Sequence, residues 1–254
     1  MPILDRESVK IFYEFNGVAG GRTPVLLTHG YSATAEMWQP NLEALGARRR
    51  VITWDIRGHG RSDSPEDQAC YSAELSVADM EAIIDATGVE RAVVGGLSLG
   101  GYLSLEFYLH HPERVAALML FDTGPGFKRD EARAGWNRTA EATAAGYDTR
   151  GLDALPNRPE VGRATHRGAA GLAKAARGIL VQQDARVIES LPTIAVPTLV
   201  VVGALDTPFL AAADYMAAKV PGTVKVVIED AGHASNIDQP EAFNRAVLDF
   251  LEGV

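Results

Sequence analysis

Cysteine is almost absent from this 254-residue chain. Cys70 stands alone, so no disulfide forms within the chain and an apolar core must hold the fold. Cys70 falls in the polar loop Asp63–Ser72, away from every motif described below, and reads as an incidental thiol. A lone thiol fits a reducing compartment. The start, Met-Pro-Ile-Leu-Asp-Arg-Glu, lacks the basic start and apolar middle of a secretory leader, so the expected location is cytoplasmic. Basic charge is also short. Lys and Arg number 24 against 33 Asp and Glu, for a formal net charge of −9, which disfavours nucleic acid and anionic membranes as partners. No run approaches the ~20 apolar residues that span a bilayer. Neither His-x-x-x-His nor Cys-x-x-Cys occurs, and no Gly-x-Gly-x-x-Gly follows an apolar run. No metal and no dinucleotide cofactor is therefore expected.

What is present is a rhythm of strands and helices. Hydrophobic residues make up 46% of the chain, ample for one large core. Val9–Phe15 alternates, with Val9, Ile11, Tyr13 and Phe15 on one side, as an antiparallel edge strand should. The runs Val25–Thr28, Val51–Trp54, Ala92–Gly95, Ala116–Phe121, Thr198–Val202 and Val224–Ile228 are continuously apolar or nearly so, the mark of parallel strands covered on both faces. Helical patterns separate them at Ala35–Leu45, Ala73–Thr87, Leu99–His111, Leu210–Lys219 and Pro240–Leu251. This alternation predicts a doubly wound, mostly parallel α/β sheet. The rhythm breaks once. From 127 to 191 no β-branched run occurs, and helical windows fall near Arg129–Gly146 and Arg163–Ile179. The expected organisation is a core of residues 1–126 and 192–254, with 127–191 as a small helical lid over the strands' C-terminal edge.

The sharpest local signal is Gly96-Leu97-Ser98-Leu99-Gly100, between the apolar run that ends at Gly95 and a helical pattern. Such a pentapeptide makes a turn tight enough to strain its serine and lift the hydroxyl above the sheet edge. Three further segments follow apolar runs in the same way: His29-Gly30-Tyr31-Ser32, Gly203-Ala204-Leu205-Asp206 and Gly232-His233. All four therefore gather at the C-terminal edge of a parallel sheet, where open α/β sheets bind ligands. A serine hydroxyl needs a neighbouring base. Of the six histidines, His233 lies past the last strand, where a ring can reach the turn. His59 sits between glycines and reads as structural, and His166 falls in the inserted stretch and reads as a surface residue.

The serine turn, the order Ser, Asp, His, the stretch Asp55-Ile56-Arg57-Gly58-His59-Gly60-Arg61-Ser62 and the final helix opening at Pro240 together resemble the α/β-hydrolase fold. The likeness is to the branch of serine esterases, 3-oxoadipate enol-lactonases and non-haem haloperoxidases. It implies eight strands and a catalytic Ser98, Asp206 and His233, with Asp122 a rival acid. It also implies an oxyanion hole from the N–H groups of Tyr31 and Leu99, with His29 fixing the loop that carries Tyr31. Trp136, an aromatic in a polar lid, is the candidate substrate contact, or else an anchor of the lid's own core. The implied reaction is hydrolysis of a small carboxylic ester or lactone through an acyl-enzyme. Hydrolysis of C–C bonds, cofactor-free perhydrolysis and a silent ligand-binding receptor are the alternatives.

Overall fold

The apolar runs form one sheet of eight strands in the order β1-β2-β4-β3-β5-β6-β7-β8. The strands of this computed structural model, which describes residues 2–6 and 8–254, are β1 (Ile3–Arg6), β2 (Val9–Gly17), β3 (Val25–Thr28), β4 (Arg50–Trp54), β5 (Ala92–Leu97), β6 (Val115–Phe121), β7 (Thr198–Gly203) and β8 (Val224–Ile228). Met1 and Glu7, part of the N-terminal stretch considered above, lie outside the described residues. β1 pairs with β2 and β2 with β4 antiparallel, and every other pair is parallel. Successive residues of a strand point to opposite faces. Leu26, Val94, Leu120 and Val200 pack on one side, and Val25, Leu27, Val93, Met119 and Val201 on the other. Both faces are dry, which is why the central strands read as unbroken apolar runs.

Helices α2 (Ala73–Ala86), α3 (Leu99–His110) and α7 (Thr207–Lys219) cover the first face, through Met80, Ile83, Leu103, Phe107 and Met216. Helices α1 (Gln39–Gly46) and α9 (Pro240–Leu251) cover the second, through Leu42, Leu45, Phe243 and Val247. The chain crosses from β3 outward to β4, then returns past β3 to β5. That reversal opens a crevice between the C-terminal ends of β3 and β5. No described helix is long and apolar enough to cross a membrane.

Several expectations shift in detail. Val9–Phe15 is not the sheet edge. β1 lies outside it, and Phe12, expected on the exposed side, is buried under the Arg61 guanidinium, 3.5 Å from its ring centre. The pattern Ala35–Leu45 divides into a 3₁₀ turn, Ala35–Trp38, followed by α1, with Pro40 in the first turn of the α-helix, where its missing N–H costs little. For the same reason α7 begins at Thr207, three residues earlier than expected, with Pro208 in its first turn. Between β6 and β7 stand α4 (Asp130–Arg150), α5 (Ala169–Ala175), which runs on as a π turn through Leu180, and the short α6 (Arg186–Ser190). The segment 163–168, expected to be helical, is not. Ala144, Tyr147, Leu172, Ala173 and Ala176 give the inserted helices a small core of their own.

Candidate active site

β5 ends at Leu97, and the chain reverses into α3 within one residue. Ser98 makes that turn at φ 54° and ψ −115°, outside the ordinary regions for a residue with a side chain and therefore strained. The flanking glycines are required by contact. A Cβ on Gly100 would stand 2.1 Å from the Thr28 carbonyl oxygen, and one on Gly96 would stand 2.5 Å from that same atom. Two donors pin the turn to β6: the Ser98 N–H bonds the Phe121 carbonyl at 2.9 Å, and the Thr123 hydroxyl bonds the Ser98 carbonyl at 2.6 Å. Leu99 opens α3, so its N–H points out of the helix end with no acceptor inside the helix.

The loops after β7 and β8 bring a carboxylate and an imidazole together. The His233 Nδ1–H donates to Asp206 Oδ2 at 2.8 Å, and Asp206 is buried. That bond fixes the ring tautomer and turns Nε2 outward as a proton acceptor. Burial alone would lower the His233 pKa, but the Asp206 hydrogen bond and the charges of Asp206, Asp122 and Glu160 outweigh it and raise the ring above 6.5. Asp122 is engaged elsewhere. Its Oδ1 accepts from the Gly203 N–H at 2.8 Å and its Oδ2 from the Ser235 hydroxyl at 2.5 Å. Burial pushes its carboxyl up to about 7 despite those bonds. It clamps the ends of β6 and β7 to the start of α8 (Ser235–Asp238).

The loop after β3 rests on a buried histidine. The Ile56 N–H donates to His29 Nε2 at 2.9 Å, so the proton sits on Nδ1, which donates to the Gly30 carbonyl at 2.7 Å. The stretch Asp55–Ser62 is the support for this loop. Asp55 accepts from the Ala35 and Arg61 N–H groups, and the Ser62 hydroxyl closes back on the Asp55 carbonyl. Tyr31 lines the cleft along with Ser98, while its hydroxyl donates to the Leu172 carbonyl of α5 at 2.7 Å. His166, expected on the surface, is buried instead. Its Nδ1 accepts from the Gly60 N–H at 3.1 Å, and its Nε2–H donates to the Ser32 carbonyl at 3.0 Å. The polar composition around it gave no sign of this bridge.

Ser98 stands where two lobes of a cleft meet. The larger, about 680 Å³, is lined by Tyr31, Asp206 and His233 from the loops and by Tyr147 and Glu160 from the insertion. The smaller, about 290 Å³, is apolar and lies among Leu99, Tyr102, Phe127, Leu180 and Phe209. Trp136 borders both lobes and is also an anchor: its Nε1–H donates to the Leu180 carbonyl at 2.7 Å. Ser98, His233, Asp206, Tyr31, Leu99 and Trp136 thus share one cleft, with Asp122 beneath it. The sequence pattern did not single out Glu160. It sits in the gap between the two helical windows, after Pro156 and Pro159, and its only signal was an acid in an otherwise unpatterned loop.

Residues 25–246 match the model of the alpha/beta hydrolase family. Over 99% of this chain and 97% of the relative, the sequence is 27% identical to 3-oxoadipate enol-lactonase 1 of Acinetobacter baylyi. It is 30% identical to the pimeloyl-[acyl-carrier protein] methyl ester esterase of Edwardsiella ictaluri, over 92% of this chain and 95% of that one. Among solved structures, a thermophilic esterase from Thermogutta terrifontis superposes with a TM-score of 0.79 at 29% identity, covering 96% of this chain and 94% of that one. The chain therefore belongs to the alpha/beta hydrolase family and is a hydrolytic enzyme.

Proposed function

We propose that the chain hydrolyses small to medium carboxylic esters or lactones through an acyl-enzyme formed on Ser98. The observation that carries this is the Asp206–His233 hydrogen bond at the wall of the cleft into which the strained Ser98 turn projects. His233 Nε2 takes the Ser98 proton as the hydroxyl attacks the carbonyl carbon. The carbonyl oxygen gains charge and is held by the N–H groups of Leu99, at the positive end of α3, and Tyr31. Collapse of the tetrahedral species breaks the bond to the alkoxy oxygen, which leaves with the proton from His233. Water then repeats the sequence on the acyl-enzyme, again giving its proton to His233 and releasing the acid. Asp206 holds the ring and stabilises the imidazolium without taking the proton.

In this reading residues 127–191 are a cap over the core of 1–126 and 192–254, and Trp136 contacts the substrate where the lobes meet. The joint volume suits a substrate of modest size, and the names of the relatives, a lactonase and two esterases, favour ester and lactone bonds. The test is labelling with a fluorophosphonate, followed by turnover of an ester and lactone panel. We expect the adduct on Ser98, and hydrolysis that disappears in Ser98→Ala with an unchanged circular dichroism spectrum. Full turnover in that variant would sink the proposal.

A further inference from the structure

Glu160 is a buried acid of the cleft wall that takes no part in the proton transfers, although its charge helps to raise the His233 ring. It is only 4% exposed, and its Oε2 is enclosed with no hydrogen-bond partner among the described residues. A buried carboxylate costs heavily unless donors compensate it, yet the surrounding chain supplies none to this oxygen. It lines the same lobe as His233 and Asp206. Arg150 and Arg158 line that lobe too, but both are exposed, where solvent and salt screen their charge.

The side of the substrate that meets Glu160 follows from the proton transfer. His233 must hand its proton to the departing oxygen, so the alcohol part lies in the larger lobe with His233. The smaller, apolar lobe then takes the acyl chain. We propose that Glu160 is a specificity residue that accepts a hydrogen bond from a protonated amine on the alcohol part of the substrate. The inference rests on the acyl-transfer reading above. The chain's net charge of −9 adds a general attraction for such cations, and with Oε2 enclosed and unpartnered, no described residue competes for this carboxylate with a donor that meets Glu160 where it lines the lobe.

Three butanoates with closely similar alcohol parts test it: dimethylaminoethyl butanoate (charge and N–H), choline butanoate (charge without N–H) and isopentyl butanoate (neither). The values of kcat/KM are measured on the full chain for wild type, Glu160→Gln and Glu160→Asp, with active sites counted by fluorophosphonate titration, and for Ser98→Ala per mole of protein. Wild type should prefer the dimethylaminoethyl ester to the isopentyl ester by about tenfold or more, because a site built around a hydrogen bond rejects the analogue lacking the donor. Choline butanoate should gain less. Glu160→Gln should lose most of the preference and Glu160→Asp should recover part of it. An equal preference in wild type and Glu160→Gln, with Ser98→Ala inactive, overturns the role of Glu160 and leaves acyl transfer standing. An equal gain for choline butanoate overturns the hydrogen bond. Undiminished hydrolysis by Ser98→Ala would instead remove the acyl-transfer reading, and this inference with it.

Discussion

Ser98 carries its side chain at φ 54°, and backbone strain of this kind costs ~1–3 kcal/mol. Glycine adopts that conformation freely but loses ~0.5–1 kcal/mol of chain entropy on folding. Ser98→Gly should therefore be more stable by about 1 kcal/mol, a rise of ~2–4 °C in melting temperature for a chain of this size, while losing the proposed nucleophile. A calorimetric melting point at or below that of wild type would contradict the strain argument. The two acids separate by a parallel comparison. Asp206 engages the His233 ring and Asp122 engages Gly203 and Ser235, so Asp206→Asn should cost up to ~10⁴ in kcat through the wrong tautomer. Asp122→Asn should lose less than about tenfold, since a carboxyl pushed up to about 7 is already half neutral near pH 7. Collapse of the Asp122 variant alone would reverse the assignment. For His233, raised above 6.5, ester turnover should fall as pH drops through that raised value, because the protonated ring cannot accept the serine proton. A flat rate across the interval would count against the ring as base.

Elements place these residues, and most of them could be read from the chain. The parallel strands announced themselves because both faces of the sheet are covered, so Val25–Thr28 and Thr198–Val202 carry no polar interruption beyond their threonine ends. The Ser98 turn was legible because steric demand leaves only glycine at positions 96 and 100. Less was visible where tertiary contacts decide. β1 has only four residues and half-exposed alternation, too little signal for a strand until β2 pairs with it. The segment 163–168 looks helical by composition but is drawn out to seat His166 between Gly60 and Ser32. Trp136 shows the same limit, since sequence could pose contact and anchor only as rivals. It lines both lobes and bonds Leu180, so the anchor does not take it away from the cleft and the proposed contact is open to it. Trp136→Phe should keep the ring's area and lose the indole bond, costing about 1 kcal/mol with chain-length preference little changed. Trp136→Ala should cost ~3 kcal/mol or more and also shift the preferred acyl length, read from kcat/KM over a series of 4-nitrophenyl esters. An alanine variant with unaltered preference would leave Trp136 an anchor only.

Across the whole molecule, the insertion and the core are joined by polar bridges at the loop that presents Tyr31. Tyr31 bonds Leu172, Ser32 bonds Tyr147, and His166 spans Ser32 and Gly60. The rings of His29, His59 and His166 pack in a row, the first pair tilted and the second edge-on, with neighbouring ring centres 5.2 and 5.9 Å apart. Burial lowers all three pKa values, that of His29 to about 4. His166 accepts from an N–H through Nδ1, so protonation deletes a bond as well as burying a charge. A lowered folded pKa means that its stabilising contribution is present above 6.5 and is lost as pH falls toward the folded value, at up to ~1.4 kcal/mol per pH unit for one proton. Buried acids raised by desolvation, Asp79, Glu106 and Asp122, act in the opposite sense, so the wild-type curve alone does not isolate the histidine. His166→Gln does. The amide offers one acceptor and one donor at a spacing close to that of the imidazole nitrogens, and it does not titrate. The variant should melt near wild type at pH ~8 and above it at pH ~5, by up to ~2–4 °C for each kcal/mol that wild type has lost. Scanning calorimetry at the two pH values decides. Parallel losses in the two proteins would show that His166 does not carry the acid sensitivity of the joint between insertion and core.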